Sequence, residues 1–517
     1  MEYQKLVNEE DKDTEAEREE EEDDYVDVVV NTRNRKDSHQ PDSWGKCVVF
    51  CLIILALLLF IFEFSTFYKG QFKLPFIEKK VVVKGEQQFV PKSTPPSFAV
   101  RPFGSHVEEL WYDYFGGKPN GSKRFDCNKF IDNDATYLET YNKTGRYIIK
   151  TGTELNISMT CPSIRRRIMG NNTYSRLPHS IAFSRTVFQA YAMQEAFIAF
   201  SYNPYNSYCF AISSNSSREF VDSMKQLQRC FPNVFVYNET FPFDSAGHYQ
   251  DIAHYSCLKT LLEDKQWKHV LMMQNDDMIQ MTPEELSKIS QIMDRASGVN
   301  IEGPQSYRYD SKDAWTAENL HLWKNESGKT DEQLHKNMTV TKSLNEAFLA
   351  REFVEAIFDQ FDVHGILEKF NSKKYYGVDE MMTSTIFSNG WLGVTGQLRA
   401  RCDNYYFVRN THWNWSGSSA GDLLCKSHSR RHGICILGVE YLKEMTESDK
   451  ILGNKVRPDF DLGTVMCYGE YLHDLQTGKR KRELRRKTYE NTPQVRELKE
   501  IKEKGDKYNP KEFKCKL

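Results

Sequence analysis

The chain has 517 residues, 69 Lys+Arg against 72 Asp+Glu, a formal net charge of −3, and 39% apolar residues of which aromatics make up a third. That apolar content fills a packed core and excludes wholesale disorder, and the near-neutral balance excludes a nucleic-acid protein, which would carry a strongly basic domain. The length is a soft indication of about three domains, or of one large domain with appendages.

Residues 1–46 read as an acidic, disordered tail. Thirteen acidic residues fall between Glu9 and Asp27, and Glu19 to Asp24 is an unbroken run that repels itself and stays solvated. Tyr3-Gln4-Lys5-Leu6 has the form of a tyrosine-based sorting signal, a pattern short enough to arise by chance.

Cys47 to Phe62, CVVFCLIILALLLFIF, contains no charge and no proline. As a helix it spans about 24 Å, slightly short of a bilayer core of about 30 Å. Phe64 and Phe67 extend it, so the expected membrane anchor is 47–67. A cleaved signal peptide would start nearer the N-terminus and be followed by a small-residue cleavage site. A buried core helix would not be apolar on every face. Lysines and arginines flank both ends, so charge does not set the orientation. The glycosylation acceptors do: Asn120, Asn142, Asn156, Asn171, Asn215, Asn238, Asn325, Asn337 and Asn414 all follow the anchor. Ten of the twelve cysteines follow it as well, which fits an oxidising lumen with disulfides. The expectation is a single-pass, type II membrane protein. No Cys-x-x-Cys pair or Cys/His spacing points to a zinc cluster.

Residues 68–125, with Pro95-Pro96, read as a luminal stem. The pattern then changes. Strand candidates at 179–185, 207–213, 233–238 and 269–274 alternate with helical spacing at 190–200, 220–227, 252–262 and 283–293. This alternation predicts an α/β fold with a mostly parallel central sheet covered on both faces. Ligands bind such sheets at the carboxyl ends of the strands, where strand order reverses. The loops to inspect therefore hold Ser184-Arg185, Ser213 to Ser217, and Asn275 to Met278.

Asn275-Asp276-Asp277 could hold a divalent cation on a diphosphate, or Asp276 could cap the next helix. In Gly377-Val378-Asp379-Glu380, Asp379 could cap a helix, or a carboxylate could serve as general base towards an alcohol; the pattern leaves both open. Trp413 and Trp415 alternate, as a sugar-stacking platform or as core. Arg430-Arg431-His432 lies between Cys425 and Cys435, where two arginines would suit phosphate or form a solvated turn. The run 479–487, KRKRELRRK, reads as a solvated helix, with acidic glycans or lipid head groups as the alternative partners.

From about Ser180 to Leu472 the chain resembles the core 2/I-branching β-1,6-N-acetylglucosaminyltransferases, the family 14 glycosyltransferases. The matching stretches are SYCFAISSNS (207–216), RCFPNVFVYNE (229–239), WKHVLMMQNDD (267–277), AREFV (350–354), GVDEMMTSTI (377–386), GICILG (433–438) and NKVRPDFDLGTVMCYGEYL (454–472), in matching order and spacing. The resemblance implies a GT-A-type nucleotide-sugar-binding fold over 126–475, followed by a basic C-terminal extension at 476–517. It implies an inverting transferase that uses a UDP-sugar without a metal ion or other cofactor. Glu380 matches the catalytic base. Lys455, with either Arg430 or Arg431 from a loop one residue longer here, matches the pair that neutralises the UDP diphosphate. Asp277 fits the family's turn after the fourth strand. Ser213 and Arg185 stand where the family has a nucleoside-contacting Asp and one of a His pair. Glu302, Trp413 and Trp415 match acceptor-binding residues. The implied disulfides pair Cys127 with Cys467, Cys161 with Cys230, Cys209 with Cys257, and Cys425 with Cys435. Cys402 and Cys515 are left over; they pair with each other, or one links two chains into a homodimer.

The expected function is transfer of a sugar, N-acetylglucosamine from UDP-N-acetylglucosamine, to a hydroxyl, at C6, of a glycan acceptor in the Golgi. The alternatives are another donor such as UDP-xylose, a metal-dependent variant using the Asn-Asp-Asp turn, and an inactive membrane-anchored glycan-binding protein.

Overall fold

A computed structural model describes residues 126–149, 157–170, 172–400, 402, 406–413 and 425–516. The tail 1–46, the anchor 47–67 and the stem 68–125 lie outside the described residues. No helix among the described residues is long and apolar enough to cross a membrane.

The centre is a five-stranded sheet: β1 (Ser180–Val187), β2 (Ser207–Ile212), β3 (Val234–Val236), β4 (Trp267–Met273) and, after the short β5 (Met278–Ile279), β6 (Phe348–Ala350). The spatial order is β3-β2-β1-β4-β6, parallel except for β6, which runs antiparallel to β4. Every residue of β1 and β2 is buried, including Ser184 and Arg185 of β1, which explains why neither alternates apolar with polar residues. Strands covered on both faces have no solvent side to alternate towards. β2 and β3 extend the sheet on one side of β1, and β4 and β6 on the other, so strand order reverses between β1 and β4.

The covering helices follow from local sequence. Arg218–Cys230 starts at Ser217, whose hydroxyl accepts from Phe220 N–H, and it buries Phe220, Met224 and Leu227 as one stripe. Pro283–Met293 opens with a capping box in which Thr282 and Glu285 satisfy each other's backbone N–H groups. Tyr191–Ser201 is buried nearly all round. Its Phe197 meets Phe183 edge-on at 5.4 Å, and Phe183 stacks on Tyr208 at 4.9 Å. These rings tie helix, β1 and β2 into one core.

A second sheet, β5-β10-β7, joins β7 (Arg409–Thr411) and β10 (Leu452–Asn454) to β5. A hairpin of β8 (Arg430–Arg431) and β9 (Ile434–Cys435) lies beside it. The four implied disulfides are all present, and Cys402 pairs with Cys515 within the chain. All ten cysteines that follow the proposed anchor are thereby paired. Asn142, Asn215, Asn238, Asn325 and Asn337 are exposed; Asn120, Asn156, Asn171 and Asn414 lie outside the described residues.

The basic run 479–487 is largely exposed, as expected, but it becomes helical only at Arg486, and the C-terminal extension around it is docked on the core. Arg482 reaches Glu285 Oε1 at 2.8 Å, Tyr489 is fully buried, and Glu497 accepts from Arg399 N–H at 2.9 Å. Within the run Arg482 finds a carboxylate on Pro283–Met293, and beyond the run Tyr489 and Val495 enter the core.

Candidate functional site

The turn after β4 is the point where the site converges. Asn275 plugs the crevice between β1 and β4: its Oδ1 accepts from Phe188 N–H (3.0 Å), Gln189 N–H (3.3 Å) and Gln194 Nε2 (3.3 Å). Arg185 lies behind this turn, fully buried, and donates from Nη2 to the carbonyls of Asn275 and Asp277, both at 2.8 Å. Its guanidinium stacks over Phe197 at 4.5 Å, and burial lowers its pKa to about 10. Arg185 therefore shapes the turn from within. Asp277 is also fully buried, with Oδ1 accepting from Asn454 Nδ2 (2.7 Å) and Oδ2 from Gln274 N–H (2.6 Å). Burial, reinforced by Glu346, pushes its carboxyl up. Both its oxygens are engaged, so only Asp276 of this pair turns towards open space, and Asp276 accepts from Asn275 rather than capping a helix. Ser213, at the end of β2, donates its N–H to Val187 O (2.9 Å), and its Oγ accepts from Asn215 N–H (3.3 Å).

On one side the turn meets the segment carrying Asp379 and Glu380. Gln274 Nε2 and Asn345 Nδ2 donate to Asp379 Oδ2 at 3.3 and 3.1 Å. Asp379 thus does not cap a helix; burial, and then Glu380, raise its pKa well above the usual carboxylate range. Glu380 points the other way and stays partly open, 17% exposed. Its Oε2 takes Arg308 Nη1 at 2.9 Å, with Lys342 Nζ at 3.9 Å. Its Oε1 has no partner among the described residues, which leaves one carboxylate oxygen to accept a proton. Lys342 also faces Glu302 Oε2 at 3.5 Å, and Glu302 is 41% exposed. One cation therefore joins Glu302 to Glu380.

On the other side the turn meets a group of cations. Val456 N–H donates to Asp276 O at 2.9 Å, which fixes Lys455 beside the turn. Burial lowers Lys455 to about pKa 8, and Arg431, Arg409 and Arg457 push the same way against Asp276. Successive residues of a strand point to opposite faces, so Arg430 and Arg431 cannot both turn to Lys455. Arg431 is the one whose charge acts on it. Tyr376 Oη lies 3.4 Å from His432 Nδ1 and bridges the segment carrying Glu380 to the arginine loop. Trp413 forms an antiparallel bridge with Ile434 on the same hairpin, half-buried; Trp415 lies outside the described residues.

The structure thus sets Asp276, Lys455 and the Asp379-Glu380 segment about one turn and puts Arg185 and Asp277 beneath it; Glu302 joins Glu380 through Lys342, and Trp413 pairs with Ile434 on the hairpin that carries Arg431. Sequence reasoning missed Arg308, Lys342 and Asn345. Lone polar residues in irregular loops carry no periodicity, and only the fold shows what they face.

Residues 181–446, more than half of the chain, match the profile of the family described as Core-2/I-Branching enzyme. The chain belongs to that family of glycosyltransferases. Curated relatives agree. A mouse protein named Beta-1,3-galactosyl-O-glycosyl-glycoprotein beta-1,6-N-acetylglucosaminyltransferase 3 is 24% identical over 304 residues, covering 56% of this chain and 68% of its own. The sheep protein of the same name is 25% identical over 338 residues, covering 62% and 74%. An enzyme of bovine herpesvirus 4 with the same name but no number is 24% identical over 374 residues, covering 69% and 81%.

Proposed function

We propose that this core-2/I-branching enzyme is an inverting transferase that moves N-acetylglucosamine from UDP-N-acetylglucosamine to a C6 hydroxyl of a glycoprotein glycan. In this reading it is held in the Golgi membrane by residues 47–67, with residues 126–475 in the lumen. The observation that supports it most is the opposed placement at the turn 274–277: a partly open carboxylate, Glu380, on one side and a crowd of cations around Lys455 on the other.

The chemistry follows from that polarity. Glu380 Oε1 takes the proton of the acceptor hydroxyl as the oxygen attacks the anomeric carbon from the face opposite UDP. The bond to the β-phosphate oxygen breaks, and the diphosphate leaves with one more unit of charge. Lys455 and Arg431 are fixed cations aimed where that charge grows. Arg308 and Lys342 hold Glu380 by its other oxygen, and Glu302 binds acceptor hydroxyls beside it. Trp413 offers a face for the acceptor sugar.

The test is turnover of UDP-sugars by the full chain with a mucin-type acceptor. UDP-N-acetylglucosamine should give UDP release that persists in EDTA. Glu380→Gln should lower kcat by about 10²–10⁴-fold and leave UDP affinity nearly unchanged. Transfer from UDP-xylose instead would reassign the donor. No turnover with any UDP-sugar would leave a glycan-binding protein, and parallel loss of UDP binding in Glu380→Gln would remove its assignment as base.

A further inference from the structure

His432 stands at the tip of the loop closed by Cys425 and Cys435, in left-handed backbone with φ of 52°. A non-glycine residue there costs about 1–2 kcal/mol, so the loop holds this side chain in place against a local preference. The loop is fixed at its C-terminal end. Cys435 N–H donates to His412 O at 2.9 Å, and Leu437 N–H donates to Lys455 O at 2.8 Å. The imidazole is half-buried, and Tyr376 Oη lies 3.4 Å from its Nδ1. If the phenol donates to Nδ1, the ring's remaining nitrogen, Nε2, carries the proton.

The charges acting on His432, among the described residues, are all positive: Lys455 and Arg457 from the segment after β10, and Arg431 from its own hairpin. With burial as the larger cause, they hold it neutral, at a pKa of about 4. An unoccupied cation cluster disfavours one more cation, but a polyanion placed in its midst reverses the sign of that field.

We propose that His432 is a further donor-binding residue: its imidazole, oriented by Tyr376, donates from Nε2 to the diphosphate and takes up a proton from solvent at Nδ1, towards which the Tyr376 hydroxyl turns to accept, as the diphosphate arrives. The imidazolium then faces the oxygen that gains the electron pair when the glycosidic bond breaks, and it returns its proton to solvent when UDP departs. The inference rests on the UDP-sugar reading of the Lys455 cluster.

The experiment is calorimetric titration of the full chain with UDP at pH 6, in buffers of different ionisation heat, for wild type, His432→Gln and Tyr376→Phe. Wild type should take up a larger fraction of a proton than His432→Gln, and the variant should bind UDP roughly three- to tenfold more weakly. That deficit should shrink at pH 8, where the imidazole is harder to protonate. Tyr376→Phe should reduce the proton uptake without removing the ring, which separates a role of the imidazole from general damage to the loop. UDP binding with equal proton uptake in wild type and His432→Gln would overturn this inference alone. No UDP binding by wild type would overturn the donor reading, and the inference with it.

Discussion

Lys455 has a depressed pKa because it is buried; Asp276 opposes the shift, and Arg431, Arg409 and Arg457 add to it. An ammonium titrating at about 8 instead of 10.5 is an unsatisfied cation, which a diphosphate would relieve. The sign of the pH effect follows. Below about pH 8 the lysine is charged and attracts UDP; above it the charge is lost and affinity falls, by up to about tenfold per pH unit. Lys455→Arg keeps its charge throughout. UDP affinity of wild type, measured from pH 6 to 10, should drop through the upper half of that range, whereas Lys455→Arg should stay flat across that upper half. Equal slopes in both would remove Lys455 from the donor site. This site was legible in the sequence only through resemblance. Glu380, Lys455 and the arginine loop sit in stretches long enough to match a family. By themselves they read equally well as a helix start, a loop lysine and a solvated turn. The choice between Arg430 and Arg431 needed the strand direction of β8, and Arg308 needed its contact with Glu380.

The elements were more legible than the site, for a physical reason. Strands buried on both faces lack the apolar/polar alternation of a half-exposed strand, so short apolar runs such as Ile181-Ala182-Phe183, Tyr208 to Ile212 and Val270 to Met273 stand out from their surroundings. Helices between them announce themselves by apolar spacing, as Phe220, Met224 and Leu227 do on Arg218–Cys230. The segment 375–380 gave no such signal, because its shape comes from contacts distant in sequence. Gly377 has φ of 67°, and its carbonyl accepts from Arg308 Nη1 at 2.8 Å. A Cβ there would run into that guanidinium. The 3₁₀ turn Val378–Glu380 therefore begins at a residue that must be glycine twice over, for conformation and for space. Gly377→Ala should displace Arg308 and with it the Glu380 carboxylate. Its expected signature is a fall in kcat of at least about tenfold, with UDP affinity near that of wild type, since the Lys455 cluster lies across the turn. Unchanged kcat would show that Arg308 does not hold the proposed base, Glu380.

At the scale of the whole molecule, five disulfides and a docked C-terminal stretch close the described residues into one body. Cys127–Cys467 spans 340 residues, and Cys402–Cys515 fastens the last helix, Pro493–Lys504, near Arg399 and Ala400. The site sits inside this frame with several carboxyl groups taken out of water. Asp251, buried in the helix Gln250–Leu261, is the clearest: desolvation raises it to about 7, although Asn371 Nδ2 donates to both its oxygens at 3.0 and 3.1 Å. Unfolded, the same group titrates near 3.8. Between those values the folded protein keeps a proton that the unfolded chain releases. Each rise in pH across that window therefore favours unfolding, by at most about 1.4 kcal/mol per pH unit. The contribution is whole below about pH 4 and gone once pH passes about 7. Asp251→Asn cannot titrate, and its amide oxygen can still accept from Ile252 N–H, as Oδ1 does at 2.7 Å. Thermal melts of wild type and Asp251→Asn at pH 5 and pH 8 check this directly. The Tm of wild type relative to the variant should be higher at pH 5 and should fall at pH 8, where wild type must either bury a charge or hold its proton against the solvent. A difference that stays constant across the range would mean that Asp251 titrates alike in both states, and that the body around it is open to water.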